Sequence, residues 1–258
     1  MKKSIIRDLL ILVAIGAAIW AIFALVPFAP KESKIISINK EYELGEFMVE
    51  NFFNDAQYSE FNSETVDSAL SLIAETLSEG AIKKEYTYKI IVFDHTMINA
   101  FAMPGGNIII STGLLNFIEE PEELAAIMAH EMGHIENRDV LKRLIKNLGI
   151  AVITSGDQYV LSEVSKTAVS TVFDRKQERE ADEFALKLLE ASKINPRIYA
   201  TVFRRFNEAN QDWNENLELL MTHPHNNSRI RAALEYELHE DFSETKLDID
   251  WQKIKNEL

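Results

Sequence analysis

The sequence contains no cysteine. That absence removes any disulfide framework, thiolate nucleophile, lipid-anchoring cysteine or sulfur-ligated metal, so a metal site in this chain must use His, Asp or Glu. Glycine and proline are sparse, at 9 and 6 residues of 258, too few for low-complexity sequence, and no repeat recurs at solenoid periods. Cations are outnumbered: 27 Lys and Arg against 41 Asp and Glu leave a formal charge of −14. Nucleic acid is thereby excluded as a partner class, because phosphate backbones are held by clustered cations that release counterions. Much of the acidic excess lies late in the chain, at Glu235, Glu237, Glu240, Asp241, Glu244, Asp248 and Asp250, and reads as solvated surface rather than a docking tail.

What is present is apolar enough, at 47% hydrophobic residues, to bury one sizeable domain. Long uncharged runs are confined to one place. From Leu9 to Val26 every residue is apolar or Gly, about 18 residues, which at ~1.5 Å rise nearly spans a hydrocarbon core. A cleaved signal peptide would have a shorter apolar core and a small-residue exit, which Leu25-Val26-Pro27-Phe28 does not offer, so an uncleaved anchor is expected. Lys2, Lys3 and Arg7 precede the run, while Glu32 offsets Lys31 and Lys34 beyond it. The positive-inside bias then expects a single-pass protein with a cytoplasmic N-terminus and an extracytoplasmic body, periplasmic if the cell is Gram-negative. The expected organisation is an anchor over residues 1–30, with the membrane met by 9–28, a catalytic domain over 31–240 and an acidic tail over 241–258.

In the soluble part, Tyr42 to Phe53 reads as an amphipathic helix. Val66, Leu70, Ile73 and Leu77 recur at helical spacing after a capping Ser63 and before a terminating Gly80. Tyr86 to Phe93 reads as a strand, and Asn99–Met103 with Asn107–Ser111 as two more about a Pro104-Gly105-Gly106 turn. No GxGxxG or GKS/T accompanies those glycines, so the turn reading stands over a phosphate loop. Pro121, Glu122 and Glu123 open a helix running to about Asn137. Leu141 to Ile153 is apolar on one side only, interrupted by Lys142, Arg143 and Lys146, too polar for a second span. Further helices are expected over Val172–Ala191, Ile198–Glu208 and Arg229–Leu238. The fold class is therefore α+β, mainly helical, with a small antiparallel sheet.

The chemistry lies in His130-Glu131-Met132-Gly133-His134. Two imidazoles four residues apart on a helix share one face and can grip one metal, while Glu131 projects toward a water in the open position of a hydrolytic zinc site. Such a motif also arises by chance, so its setting in a periodic helix flanked by Ala125, Ala126 and Ala129 matters. Asn137 and Val140 stand where a third-histidine continuation would need Gly and His, which excludes that class. Glu178 and Asp182, four apart on a later helix, offer the alternative: Glu178 as third ligand, Asp182 accepting from the non-metal nitrogen of a ligand histidine. Arg175, Lys176 and Arg179 leave a plain charged helix face as the competing reading there.

These residues together resemble the membrane-associated zinc peptidases that include HtpX, BepA and the CAAX prenyl proteases. The resemblance spans roughly residues 43 to 238 and rests on four motifs in family order. They are Asn99-Ala100-Phe101-Ala102 with Pro104-Gly105-Gly106, His130-Glu131-x-x-His134, Glu178-x-x-x-Asp182, and His223-Pro224 with Arg229-Ile230. It implies a zincin-like metallopeptidase domain of the gluzincin type with one Zn2+ per chain. It also implies that His223 and Arg229 face the metal and steady the developing oxyanion, or that His223 occupies the open metal position at rest. Asn99, Ala100, Phe101 and Ala102 would form the substrate-binding edge strand. His95, His225 and His239 match no metal position of the family and read as surface residues. The chain departs from HtpX and the prenyl proteases in lacking further spans, and from BepA in lacking a helical-repeat part, so it reads as a minimal, singly anchored member.

The expected function is zinc-dependent endopeptidase activity with Glu131 as general base. Its substrates would be unfolded or misassembled proteins met in envelope quality control, since an open strand edge binds main chain with little regard to sequence. Two rivals remain: a non-catalytic anchored scaffold keeping a structural zinc, and a zinc hydrolase of cell-wall or lipid amides.

Overall fold

The computed structural model describes residues 36–81, 85–150, 153, 172–211, 217, 219, 223 and 226–258. The chain divides into two units, Met1–Ser37 and Ile38–Leu258, and the expected anchor at residues 1–30 lies outside the described residues. Among the described residues no helix is long and apolar enough to cross a membrane.

The second unit opens with helix α1, Ile38–Phe53, which buries Leu44, Met48 and Phe52 on one face. A two-residue strand β1, Ser59–Glu60, leads to helix α2, Glu64–Gly80. Ser63 caps α2 by accepting from Val66 N, and Val66, Leu70, Ile73 and Leu77 are all buried, as their spacing requires. Strands β2 (Lys89–Asp94), β3 (Ala100–Met103) and β4 (Asn107–Ser111) follow, with a 3-10 turn over Pro104–Gly106 between the last two.

The sheet is mixed, which corrects the expectation of a wholly antiparallel one. Its order is β1-β2-β4-β3, with β2 and β4 parallel and the other two pairs antiparallel. The reason lies in the connection from His95 to Asn99. It carries the chain past the neighbouring position, about 9–10 Å for two strand spacings, and leaves a slot that β4 fills after the turn. A strand buried on both faces reads as a continuous apolar run, and Ile108, Ile109 and Ile110, each fully buried, are that run. Strand β3 is left as the sheet's edge.

Short helix α3 (Thr112–Phe117) then gives way to helix α4, Pro121–Glu136, whose residues from Pro121 to Ile135 are all buried. Such a helix needs no polar face, and it lies between the sheet and helix α6, Arg175–Ala191. Gly133 permits that packing: a Cβ there would stand 2.9 Å from the Ala181 Cα. Because Gly133 lies between the two motif histidines and Ala181 between Glu178 and Asp182, the closest approach of the helices sets the four side chains against each other. Helix α5, Asp139–Leu148, follows α4 through Arg138 in the left-handed conformation, and α7 (Ile198–Gln211) and α8 (Asn226–Glu235) complete the surround.

Residues 241–258, read from sequence as an acidic tail, run along the body. Thr245 N donates to Lys193 O at 2.8 Å, Leu247 N to Glu122 at 3.0 Å and Trp251 Nε1 to Ile118 O at 2.9 Å. The final helix α9, Trp251–Lys255, is capped by Asp250 and buries Trp251 and Ile254.

Candidate metal centre

His130, Glu131 and His134 sit in the last two turns of α4, and Glu178 in the first turn of α6, where the capping box of Asp174 and Gln177 fixes the helix start. The structure brings together both histidines, Glu178 and His223. All four are buried, and one ligand atom from each lies within 4.8 Å of every other. His130 Nε2 is 3.1 Å from His134 Nε2 and 3.2 Å from His223 Nδ1. Glu178 Oε1 is 3.4 Å from His134 Nε2 and 2.9 Å from His223 Nδ1, with Oε2 3.8 Å from His130 Nε2.

Tetrahedral zinc with bonds near 2.0–2.1 Å sets its ligand atoms about 3.3–3.4 Å apart. The observed separations bracket that figure. The Glu178 Oε2 atom and the Arg229 Nη1 atom that faces it at 3.6 Å are both buried without a hydrogen-bond partner, so the guanidinium leaves that oxygen unbonded and a closer cation would satisfy it. Donor chemistry and spacing therefore fit a single divalent ion of the zinc type.

Around these donors stands a support of carboxylates and rings. Asp182 Oδ1 lies 3.1 Å from His130 Nδ1 and accepts from Tyr199 at 2.5 Å and from Arg229 Nε at 2.9 Å. Arg229, 1% exposed, also donates through Nη2 to the Tyr199 hydroxyl at 2.7 Å and rests its guanidinium 4.2 Å over the Phe203 ring. On the other side, His134 Nδ1 is 3.0 Å from Asp139 Oδ2, and the Phe173 ring stacks on His134 at 3.9 Å. His130 and His134 thus each have the non-metal nitrogen against a carboxylate, which fixes ring orientation, and at His130 Nδ1 the Arg229 Nη2 and Tyr199 hydroxyl also stand, at 2.8 and 2.9 Å.

Burial and the Arg229 charge lower His130 to about 3, so it is neutral and ready to ligate. Burial pulls His134 down as well, but hydrogen bonds to Asp139 and Glu178 outweigh it and carry the group up to about 9. Burial opposes ionisation of Glu178 and Asp182, yet the surrounding histidines hold Glu178, and Arg229 holds Asp182, well below the usual carboxylate range. Glu131 is pushed upward by burial. Its Oε2 accepts from Ala102 N at 2.8 Å, while Oε1 has no hydrogen-bond partner and lies 3.6 Å from His223 Nε2.

The four residues Asn99 to Ala102 lie beside this group and are all buried. Strand β3 is the sheet's edge, but that edge is covered: Ala102 N meets Glu131, and Ile98 O accepts from Leu219 N at 3.2 Å. The Asn99 carboxamide is fully buried with neither its nitrogen nor its oxygen partnered. His95 lies away from the donors, half-buried against Tyr58 and Phe93, and His239 is exposed. His225 lies outside the described residues. Sequence reasoning missed Asp139, Tyr199 and Phe173. Asp139 directly follows the helix bearing His134 and could have been found by asking what meets the far nitrogen; nothing in the pattern marks the other two.

A helix-borne pair of histidines, a carboxylate from a second helix and a spare buried acid define a metallopeptidase-type site. A model of Peptidase family M48 matches residues 64–237, and the chain belongs to that family. The mitochondrial metalloendopeptidase OMA1 of Arabidopsis thaliana is 30% identical over 160 residues, 60% of this chain and 33% of that protein. The β-barrel assembly-enhancing protease of Escherichia coli is 23% identical over 255 residues, 90% of this chain and 52% of that one. The metalloprotease LoiP of Escherichia coli is 30% identical over 147 residues, 53% and 57% respectively. The chain therefore spans between a third and just over half the length of these relatives.

Proposed function

We propose that this chain is a zinc metalloendopeptidase, tethered to a membrane by residues 9–28, that hydrolyses peptide bonds in unfolded or misassembled proteins. The observation that carries the reading is the convergence of His130 Nε2, His134 Nε2 and Glu178 on one buried point, with the unpartnered Glu131 Oε1 beside it. Zinc held there supplies electrophilic polarisation of a peptide carbonyl and acidifies water. Glu131 Oε1, with its pKa raised by burial, takes the proton of the attacking water and passes it to the leaving amine. Asp139 holds the far nitrogen of His134, and Asp182, Tyr199 and Arg229 surround that of His130, so each ring turns Nε2 toward the metal position. Arg229, fixed by Asp182 and Tyr199, contributes positive charge beside the reacting carbonyl.

His223 has two roles open to it: fourth ligand at rest, or donor to the oxyanion. Its Nδ1 at 2.9–3.2 Å from Glu178 and His130 favours the first. Leu219 N also donates to Ile98 O at 3.2 Å, just ahead of β3, so a substrate pairing along Asn99–Ala102 meets Leu219 there and displaces that bond. Asn99, its carboxamide unpartnered, then bonds the incoming main chain along with Ala100, Phe101 and Ala102. Envelope quality control agrees in kind with the printed name of the Escherichia coli relative, a protease that enhances β-barrel assembly.

The test is Glu131→Gln in the full chain, expected to bind one zinc and to lose casein cleavage. Retained proteolysis ends the general-base assignment, and unchanged zinc content in Glu178→Gln moves the third ligand elsewhere. His223→Ala is expected to keep zinc and cleave faster; a tenfold slower rate at unchanged KM instead assigns His223 to the oxyanion.

A further inference from the structure

Arg138 joins α4 to α5 with φ +54 and ψ +37, a left-handed conformation that bulky L-residues avoid. The next residue is Asp139, fully buried, whose Oδ2 stands 3.0 Å from His134 Nδ1. Were Arg138 to relax into the right-handed region, the chain would leave α4 in another direction and Asp139 would lose His134. Its backbone is bonded on both sides, Arg138 N donating to Ile135 O at 2.8 Å and its carbonyl accepting from Lys142 N at 2.9 Å, and its side chain is held as well.

The holder is Glu41 on α1, distant in sequence and 2% exposed. Its Oε2 accepts from Arg138 Nε at 2.7 Å and faces Arg138 Nη2 at 2.6 Å, a fork that pins the side chain and with it the backbone. The same carboxylate accepts from the Tyr86 hydroxyl at 3.0 Å. Gly105 lies in the turn that closes β3, has φ +74, and packs so tightly on α1 that a Cβ would stand 2.8 Å from the Tyr42 Cα. One buried acid thus joins Tyr86, just ahead of β2, to Arg138 and through it to the His134 support, while Gly105 packs on the helix that carries the acid.

We propose that Glu41 is a positioning residue for the metal centre, holding Arg138 in its left-handed conformation so that Asp139 meets His134. This rests on the metallopeptidase reading of the site. It makes no contact with substrate or metal itself; its effect passes through two intervening residues.

The test measures zinc dissociation constants of the full chain by competition with a fluorescent chelator. Asp139→Asn is expected to weaken zinc about 10–100-fold, the usual effect of removing a carboxylate behind a ligand histidine. Glu41→Gln is expected to weaken it about tenfold. The double variant is expected to bind no worse than Asp139→Asn alone, because the first change acts through the second residue. Tyr86→Phe removes another hydrogen bond from the same carboxylate without touching Arg138, and should lower the unfolding midpoint while leaving zinc affinity within twofold. In Arg138→Gly, where a left-handed backbone is free of strain, adding Glu41→Gln should cost no further affinity. Wild-type zinc affinity in Glu41→Gln, or losses that multiply in the double variant, overturns the proposal. Should Glu41→Gln fail to fold, Arg138→Ala, which loses the Glu41 contact but keeps a Cβ, is expected to weaken zinc about tenfold, and wild-type affinity in it overturns the proposal. If the unmodified protein and its His134→Ala variant take up zinc equally, it is the metal-site reading that has failed instead.

Discussion

Replacing Asp182 by Asn separates a structural acid from one that serves the metal. Two donor atoms of the fully buried Arg229 converge on Asp182 Oδ1, Nε at 2.9 Å and Nη2 at 2.8 Å. Breaking a buried pair by neutralising one member costs about 3–5 kcal/mol, and since Asn retains a carbonyl for Arg229 the lower end, about 3, applies to the metal-free protein. Asp182 also faces His130 Nδ1 at 3.1 Å, so the variant loses the acceptor that steadies this ligand. A tenfold to hundredfold fall in zinc affinity adds about 1.4–2.7 kcal/mol when both proteins are measured at free zinc above both dissociation constants. Equilibrium urea unfolding with chelator, then with buffered zinc, should therefore give a larger loss in the second condition, about 4.4–5.7 kcal/mol in all. Equal losses in both conditions would refute the reasoning, because Asp182 would then hold Arg229 and do nothing for His130.

Three further outcomes follow from the same geometry. With His130 lowered to about 3 and His134 raised to about 9, zinc binding at pH 7 should release a proton from His134 and none from His130. Calorimetry in buffers of different ionisation heat measures it, and the release should vanish above pH 10. For the metal-free protein, a histidine whose folded pKa lies below its unfolded value contributes stability above about 6.5 that is lost as pH falls. His130→Gln should therefore flatten the stability profile between pH 6.5 and 5, by roughly 1 kcal/mol at pH 5.5 relative to pH 7.5, read by urea midpoints. Gly133→Val puts a side chain where even a Cβ lies 2.9 Å from Ala181 Cα; it should part α4 from α6, abolish tight zinc binding and lower the thermal midpoint by several degrees.

Local signals placed most of the secondary structure. Ser63 as cap, the Val66 to Leu77 spacing and Pro121 at a first helical turn each concern residues within a few positions of one another, and each element formed where those residues expect it. The direction of β4 was not of that kind. In Asn107–Ser111 the three successive isoleucines, rather than an alternating pattern, signal burial on both faces, but they do not say that the second neighbour is β2 or that it runs parallel.

The centre divides in the same way. Helical spacing makes His130 and His134 neighbours, and Glu178 and Asp182 neighbours, but only the Gly133 and Ala181 contact turns two pairs into one site, and a small residue in a helix carries many other meanings. Tyr199 and Phe173 are legible only from that closure, since each gains its role from a histidine on another element. Asp139 is intermediate. Its place just past the helix end permits contact with His134, yet the contact goes with Arg138 taking a conformation that its own sequence disfavours, its backbone bonded to Ile135 and Lys142 and its side chain to Glu41 on α1. A residue whose local preference opposes its observed geometry points beyond its neighbourhood, so the search for the support of a site begins most profitably at such a residue.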